Sequence, residues 1–338
     1  MNRRRPIIMG IVGDSAAGKT TITSGIARIL GADRVTEVCT DDYHKYDRVE
    51  RAQRNITALH PDCNYLDIME LHFERLHYGQ PILKPVYDHS NGTLVRPRYV
   101  VPTEFVIVEG LLAFHNKVLR QFIDILVYLD PPEDIRTQWK IGRDTAKRGY
   151  TEAQVLAEME KRESDSAAYI RPQREFADIV VRFQPPPVPA MRDGKPVYDV
   201  RLVLRPTIKH PDLSYLVDGP LAGDDSVRLE LGRDAGRPAD ILEISHNVSA
   251  AQAQALENAV WAHLPGVRPL AASEMGNYDD RQGRQHSDHL ALTQLLLAYH
   301  LLRLHGDAEG PLYAAPVAAL RRAAQVPILP AVAGTAKG

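Results

Sequence analysis

Apolar residues in the first part of the chain fall into short continuous runs separated by segments of helical spacing. Residues 7–12 (IIMGIV), 35–40 (VTEVCT), 105–110 (FVIVEG), 124–130 (DILVYLD) and 178–183 (DIVVRF) read as strands. Runs this uniformly apolar suit parallel strands covered on both faces. Between them, Ile22, Ile26 and Ile29 share one face of a helix over 19–30, and Leu66, Met69, Phe73 and Leu76 mark a second. A charged helix follows over 133–148 and another over 151–163. Strands alternating with helices predict an α/β fold with a parallel or mixed sheet flanked by helices.

The pattern changes after 184–197, where QPPPVPAMRDGKPV is too rich in proline for a helix or a central strand. Beyond this linker, 198–206, 226–232 and 240–246 read as strands, and 250–264 and 288–304 as helices. The expected organisation is a core over 1–183, the linker, an α+β region over 198–328 that either extends the first sheet or packs on it, and a tail at 329–338. There is no internal repeat.

Composition narrows the class. The 338 residues include 41 basic and 43 acidic side chains, and 44% are hydrophobic. That is a folded protein with material for a sizeable core, and its balanced charge argues against a nucleic-acid binder. Two cysteines exclude a disulfide scaffold and suit a reducing cytoplasm. No apolar run reaches the roughly 18–20 residues that span a bilayer. Arg3-Arg4-Arg5 before an apolar stretch has the outline of a signal peptide, but the stretch runs into a glycine loop and reads as the first buried strand.

That loop carries the first chemistry. Gly13-Asp14-Ser15-Ala16-Ala17-Gly18-Lys19-Thr20 matches G-x-x-x-x-G-K-[ST], after a strand and before a helix, the context the motif requires. Its amides can curl around phosphate oxygens, and the helix N-terminus adds favourable partial charge. Lys19 should reach the β- and γ-phosphates of a nucleotide and Thr20 should ligate Mg²⁺. Such a loop establishes nucleotide use but leaves the reaction open.

The acceptor side is less specific. Asp41 and Asp42 follow the second strand, where α/β sheets form their ligand crevice, and a carboxylate there can take a proton from an attacking hydroxyl. They serve equally well as a helix cap and a solvated neighbour. Arg48, four residues beyond His44, is either a phosphate ligand or an exposed charge. Glu109 ends an apolar strand where burying an acid is costly, which suits a Mg²⁺-associated group. Lys140, Asp144 and Arg148 share one helical face, with Arg143 adjacent. They form either a salt-bridged solvent face or a lid that closes cations over a transferring phosphoryl group. His286-Ser287-Asp288-His289 could suggest a metal site, but Ser287 or Asp288 capping the last helix is the simpler reading.

Taken in order, these segments resemble the phosphoribulokinase/uridine kinase family of P-loop kinases. The matching stretches are GDSAAGKT (13–20), TDDYH (40–44), TALHPDCNYLDIMELHFERLHYGQPILKPVYDHSNGTL (57–94), VIVEGLL (106–112), WKIGRDTAKRG (139–149) and YIRPQREFADIVV (169–181). DDYH together with WKIxRDxxxRG is closer to the plant and cyanobacterial type of phosphoribulokinase. HPDLSYL (210–216) and SDHLALTQLLLAYHLL (287–302) resemble that type's C-terminal region more loosely. The resemblance implies ATP-dependent phosphorylation of ribulose 5-phosphate to ribulose 1,5-bisphosphate, the Calvin-cycle step, by a cytoplasmic homodimer using Mg²⁺. It implies that residues 13–21, including Thr21, hold the nucleotide, with Thr20 and Glu109 at the metal. Asp41 becomes the general base. Asp42, Tyr43, His44, Arg48, Tyr87 and His89 become the sugar-phosphate pocket. Lys140, Arg143 and Arg148 become lid cations, with Asp144 among them.

One departure concerns regulation. The plant-type enzymes carry a cysteine at the position of Ala17 that pairs with one just before DDYH; here only the second, Cys39, is present. The thioredoxin switch is therefore not expected in that form. Two other functions fit the loop: a uridine or other sugar-phosphate kinase of the same family, and a regulatory protein that binds nucleotide without catalysis. The first would need a base-stacking pocket, and the second has no use for a base such as Asp41.

Overall fold

The computed structural model describes residues 5–192, 194–217, 226–264, 269–270, 272–280 and 283–307. The tail expected at 329–338 and the stretch 308–328 before it lie outside the described residues. In chain order the elements are β1 (Ile7–Gly13), α1 (Lys19–Leu30), β2 (Val35–Cys39), α2 (Arg48–Arg54), α3 (Leu66–His77), β3 (Ile82–Asp88), β4 (Thr93–Val100), β5 (Phe105–Gly110), α4 (Lys117–Gln121), β6 (Ile125–Leu129), α5 (Glu133–Arg148), α6 (Glu152–Asp165) and β7 (Ile179–Gln184). There follow the two-residue strands β8 (Met191–Arg192) and β9 (Lys195–Pro196), then β10 (Asp199–Leu204), β11 (Val227–Asp234), β12 (Arg237–Ile244), α7 (Ala250–Ala262), β13 (Asn277–Asp280), β14 (Gly283–His286) and α8 (Asp288–Asp307).

Eight strands form one mixed sheet in the order β11-β12-β10-β7-β6-β1-β5-β2. The strands from β2 to β7 in that order run parallel, and β10, β12 and β11 join antiparallel. The change of sense has a local cause. Parallel neighbours need a crossover long enough for a helix, whereas antiparallel neighbours can be joined by a loop. The proline-rich segment after β7 cannot supply a helix, so the chain turns back as β10. The C-terminal strands therefore extend the first sheet.

Both faces of the parallel half are covered, which explains its continuous apolar runs. Met9, Ile11, Ile107, Val127 and Val181 face α1, α7 and α8. Ile8, Val12, Val106, Val108, Leu126 and Val180 face Met69, Phe73 and Leu76 of α3 and Leu119 of α4. The outer strand β11 is charged and mostly exposed, as suits a sheet edge. Helix α8 starts at the Ser287 hydroxyl, which accepts the Leu290 N–H at 3.3 Å, so the cap reading of that cluster agrees with the structure.

Two features depart from the sequence pattern. The strand expected over 35–40 stops at Cys39, and Thr40–Tyr43 form a 3-10 turn. Residues 82–100 form an unanticipated antiparallel hairpin, β3–β4. Every residue of β4 except Val100 is exposed, so the strand shows no alternation. Its available signal was Asn91-Gly92 in the turn, where Gly92 has φ +82°.

Candidate active site

The carboxyl ends of β1, β2, β5 and β6 open on one side of the sheet. The chain leaves β1 toward β2 on one flank, while β6 and β7 lie on the other, so a crevice forms beside β1. The phosphate-loop motif fills it. Ala16 and Gly18 both take positive φ, +67° and +94°, which turns successive amides inward. The Lys19 ammonium donates to the carbonyls of Gly13 and Asp14, each at 3.0 Å. Asp14 points outward: it accepts the Ser15 N–H at 2.6 Å and the Ser166 hydroxyl, and pairs with Arg136 at 3.5 Å. Arg136 also donates to the Ser15 carbonyl at 3.0 Å. The Asp14 side chain thus fastens the loop to α5 and to the turn after α6. Arg136 is buried, yet in sequence it is one arginine among many on a charged helix, and it was missed.

Two carboxylates converge beside the loop. Asp41 lies in the 3-10 turn, and its Oδ1 accepts the Leu111 N–H at 3.1 Å. Gly110 makes this approach feasible: a methyl group there would fall 1.9 Å from Thr40 Oγ1 and 2.9 Å from Asp41 Oδ1. Glu109 is buried, and its Oε1 accepts the Thr20 hydroxyl at 3.3 Å. Burial raises its pKa; the Lys19 charge opposes this and the Asp41 charge adds to it. Thr40 Oγ1 is buried with no hydrogen-bond partner among the described residues. This all-oxygen set, with an acid that a nearby cation would return to its ionised form, fits a hard divalent ion such as Mg²⁺.

The next residues of the TDDYH segment diverge. The Asp42 carboxylate pairs with the buried Lys84 and accepts the Tyr87 N–H at 2.9 Å, which anchors the hairpin. Tyr43 corrects an expectation: it is fully buried in the core and its hydroxyl meets His72 Nδ1 at 2.9 Å, so its side chain does not line the crevice. His44 is buried next to Asn64. Its Nδ1 lies 2.8 Å from Asn64 Oδ1. Asn64 Nδ2 donates to the carbonyls of Ala58 and His60. Its oxygen must then be the acceptor, so Nδ1 of His44 carries the proton and Nε2 is left as an acceptor. Burial pushes His44 down to about 4, so the ring is neutral at ordinary pH.

Around His44, the Tyr87 ring stands 4.8 Å away and His89 6.5 Å away, centroid to centroid. Arg48 donates to the His89 carbonyl at 3.0 Å. Arg51, missed in the sequence, donates to the Tyr87 hydroxyl at 2.6 Å and lies over that ring. Its signal was the i,i+3 spacing from Arg48 on α2.

On α5, Asp144 draws the cations together. Lys140 Nζ lies 2.9 Å from it, Arg143 Nε 2.8 Å and Arg148 Nη1 3.4 Å. Burial alone would raise Asp144, but the hydrogen bond and charge of Arg143, with those of Lys140, outweigh it and hold the acid at about 2. Lys140 Nζ and Arg143 Nη2 approach the Ser15 hydroxyl at 3.4 and 3.5 Å. The cluster therefore lies against the phosphate loop and is not a free solvent face. On the opposite side of the loop, the Thr21 carbonyl accepts from Gln294 of α8 at 2.9 Å.

Comparison with known proteins accords with this geometry. The sequence model of the phosphoribulokinase/uridine kinase family matches residues 8–187. Phosphoribulokinase of Synechocystis is 37% identical over 214 residues, covering 63% of this chain and 64% of that protein. The chloroplastic phosphoribulokinase of Triticum aestivum is 32% identical over 232 residues, covering 63% and 57%. The match thus spans less than two thirds of these relatives' length. Among solved structures, phosphoribulokinase from Rhodobacter spheroides superposes with a TM-score of 0.53 at 19% identity, over 77% of this chain and 96% of that one. That likeness concerns the fold.

Proposed function

The chain belongs to the phosphoribulokinase/uridine kinase family, and from that membership we propose that it transfers the γ-phosphoryl group of ATP to the 1-hydroxyl of ribulose 5-phosphate, giving ribulose 1,5-bisphosphate and ADP. The observation that carries the proposal is a cluster of cationic and ring side chains near Asp41. The Asp41 charge acts both on Glu109, which contacts Thr20 of the phosphate loop, and on His44 and His89, which cluster with Arg48, Arg51 and Tyr87. Two arginines beside a neutral histidine suit a phosphorylated acceptor better than the base of a nucleoside. The names of the two phosphoribulokinases compared above point the same way.

In this reading the loop amides and Lys19 hold the β- and γ-phosphates. Mg²⁺, held by Thr20 and Glu109, neutralises phosphate charge when bound. Arg48 and Arg51 hold the 5-phosphate, and His44 Nε2 accepts from a sugar hydroxyl. Asp41 takes the proton of the 1-hydroxyl as that oxygen attacks the γ-phosphorus, and the bond to the β-phosphate oxygen breaks. Lys140 and Arg143 offset charge on the group in transfer, and α5 with α6 excludes water. The family resemblance implies a cytoplasmic homodimer, which belongs to this proposal. Among the described residues no helix is long and apolar enough to cross a membrane.

The test is ADP release, measured with ribulose 5-phosphate, with uridine and with no acceptor. Release that depends on the sugar phosphate is the expected result. Release with uridine alone would favour the nucleoside kinase reading, and none with either would leave only nucleotide binding.

A further inference from the structure

Gln294 reaches the phosphate loop from α8, far outside the stretch that the family sequence model covers. Its side chain is 1% exposed. Nε2 donates to the Thr21 carbonyl at 2.9 Å, and Oε1 accepts the Gly276 N–H at 2.9 Å. Thr21 lies in the first turn of α1, directly after Lys19 and Thr20. One turn further on, Gly25 leaves room for the amide: a methyl group there would come within 2.0 Å of the Gln294 Cδ. The helix has thus given up a side chain at the point where Gln294 crosses it. A second tie lies further along α1, where Arg28 donates to the Glu274 carbonyl at 2.7 Å.

A helix binds phosphate through the unpaired amides of its first turn, and only if they point at the ligand. Rotation of α1 about its axis would carry the side chains of Lys19 and Thr20 away from the crevice, and would shift sideways the first-turn amides, which lie nearly along that axis. Burial of Ile22, Ile26 and Ile29 opposes a large rotation, but such contacts are non-directional and set the exact angle only coarsely. A buried hydrogen bond to a first-turn carbonyl is directional.

We propose that Gln294 is a positioning residue for the nucleotide site, fixing the rotation of α1 through the Thr21 carbonyl. The C-terminal region is then part of the machinery that binds nucleoside di- and triphosphates. This rests on the reading of residues 13–20 as the nucleotide loop.

Two variants of the full chain separate positioning from packing. Gln294→Met keeps the volume and loses both hydrogen bonds. Gln294→Glu, measured at a pH high enough to ionise the buried carboxyl, keeps the acceptor for Gly276 and loses the donor to Thr21. The readouts are the Kd of Mg·ADP by calorimetry, the KM of ribulose 5-phosphate and the melting temperature. In both variants the ADP Kd should rise about tenfold, with the sugar-phosphate KM within twofold of the parent. A loss in the Met variant alone would place the effect in the Gly276 contact and overturn the proposal. So would an unchanged Kd in both, or equal losses for both substrates. If neither variant folds, Gly25→Ala combined with Gln294→Ala refills the contact without the bond; a parent-like ADP Kd in that protein also overturns the proposal. A parent protein that binds no ADP is a distinct result, which removes the nucleotide reading itself.

Discussion

The Asp144 carboxylate lies 2.9 Å from the Lys140 ammonium, and both side chains are buried. Burial pushes Lys140 down to about 8, against the pull of Asp144 and with the repulsion of Arg143. A lysine with a lowered pKa keeps its charge below that value and loses it above. If Lys140 acts as a charged lid group, kcat/KM should fall as pH rises through about 8. Asp144→Asn removes the partner that holds the proton on, so the falling limb should move to lower pH, by about one unit. The measurement is kcat/KM against pH for both proteins. An identical alkaline limb in the two would mean that Lys140 is not the group titrating.

Gly110 and Asp41 give a second prediction. Gly110 has φ +152°, and a methyl group there would overlap Thr40 and press on the Asp41 carboxylate. Gly110→Ala should therefore displace Asp41 and cost about 1–3 kcal/mol of stability. Asp41→Asn keeps the volume and removes only the base. Both should lower kcat, the Asn variant by about 10²–10⁴-fold, while Mg·ADP binds as before. An Asn variant with near-normal turnover would refute the assignment of Asp41.

Which residues stand out in the sequence follows from where each one lies. The phosphate loop, Asp41 and Glu109 stand out because each follows or ends a strand, and strand ends define the crevice. The TDDYH segment misled at Tyr43 for a geometric reason. It forms a 3-10 turn, in which successive side chains point about 120° apart. Asp41, Asp42 and Tyr43 therefore face the crevice, the hairpin and the core in turn, and all three could not share one pocket. Arg51 and Arg136 were missed because an arginine in a charged helix looks the same whether solvated or buried, and the i,i+3 spacing of Arg51 from Arg48 suits a solvent face equally well. Only the fold brings Tyr87 to Arg51 and Asp14 to Arg136.

Arg51 is the added member of the proposed acceptor site, so on that reading its removal should affect one substrate. Charge-assisted hydrogen bonds contribute about 1.5–3 kcal/mol, or roughly 10–100-fold in affinity. Arg51→Ala should raise the KM of ribulose 5-phosphate by that factor and leave the Mg·ADP Kd unchanged. Steady-state kinetics with each substrate varied in turn checks this. A rise in the ATP KM of equal size would place Arg51 in general support of the fold and not in the pocket.

Glu257 of α7 tests the C-terminal region away from the site. It is buried, and its Oε2 has no hydrogen-bond partner among the described residues. Burial, with the nearby Asp288 charge, pushes its carboxyl up to about 7, His286 opposing. An acid with a raised folded pKa costs the folded state stability once the unfolded chain can ionise. The penalty begins near pH 4.5, grows as pH rises and levels off above about 7. Gln cannot ionise and escapes it. Relative to the parent, Glu257→Gln should therefore gain about 1–2 kcal/mol between pH 5 and pH 8. Chemical denaturation across that range gives the difference directly. Any pH-independent effect of the amide moves the difference by a constant, so the slope against pH is the decisive quantity. A flat difference would mean that Glu257 ionises as readily in the fold as in the unfolded chain.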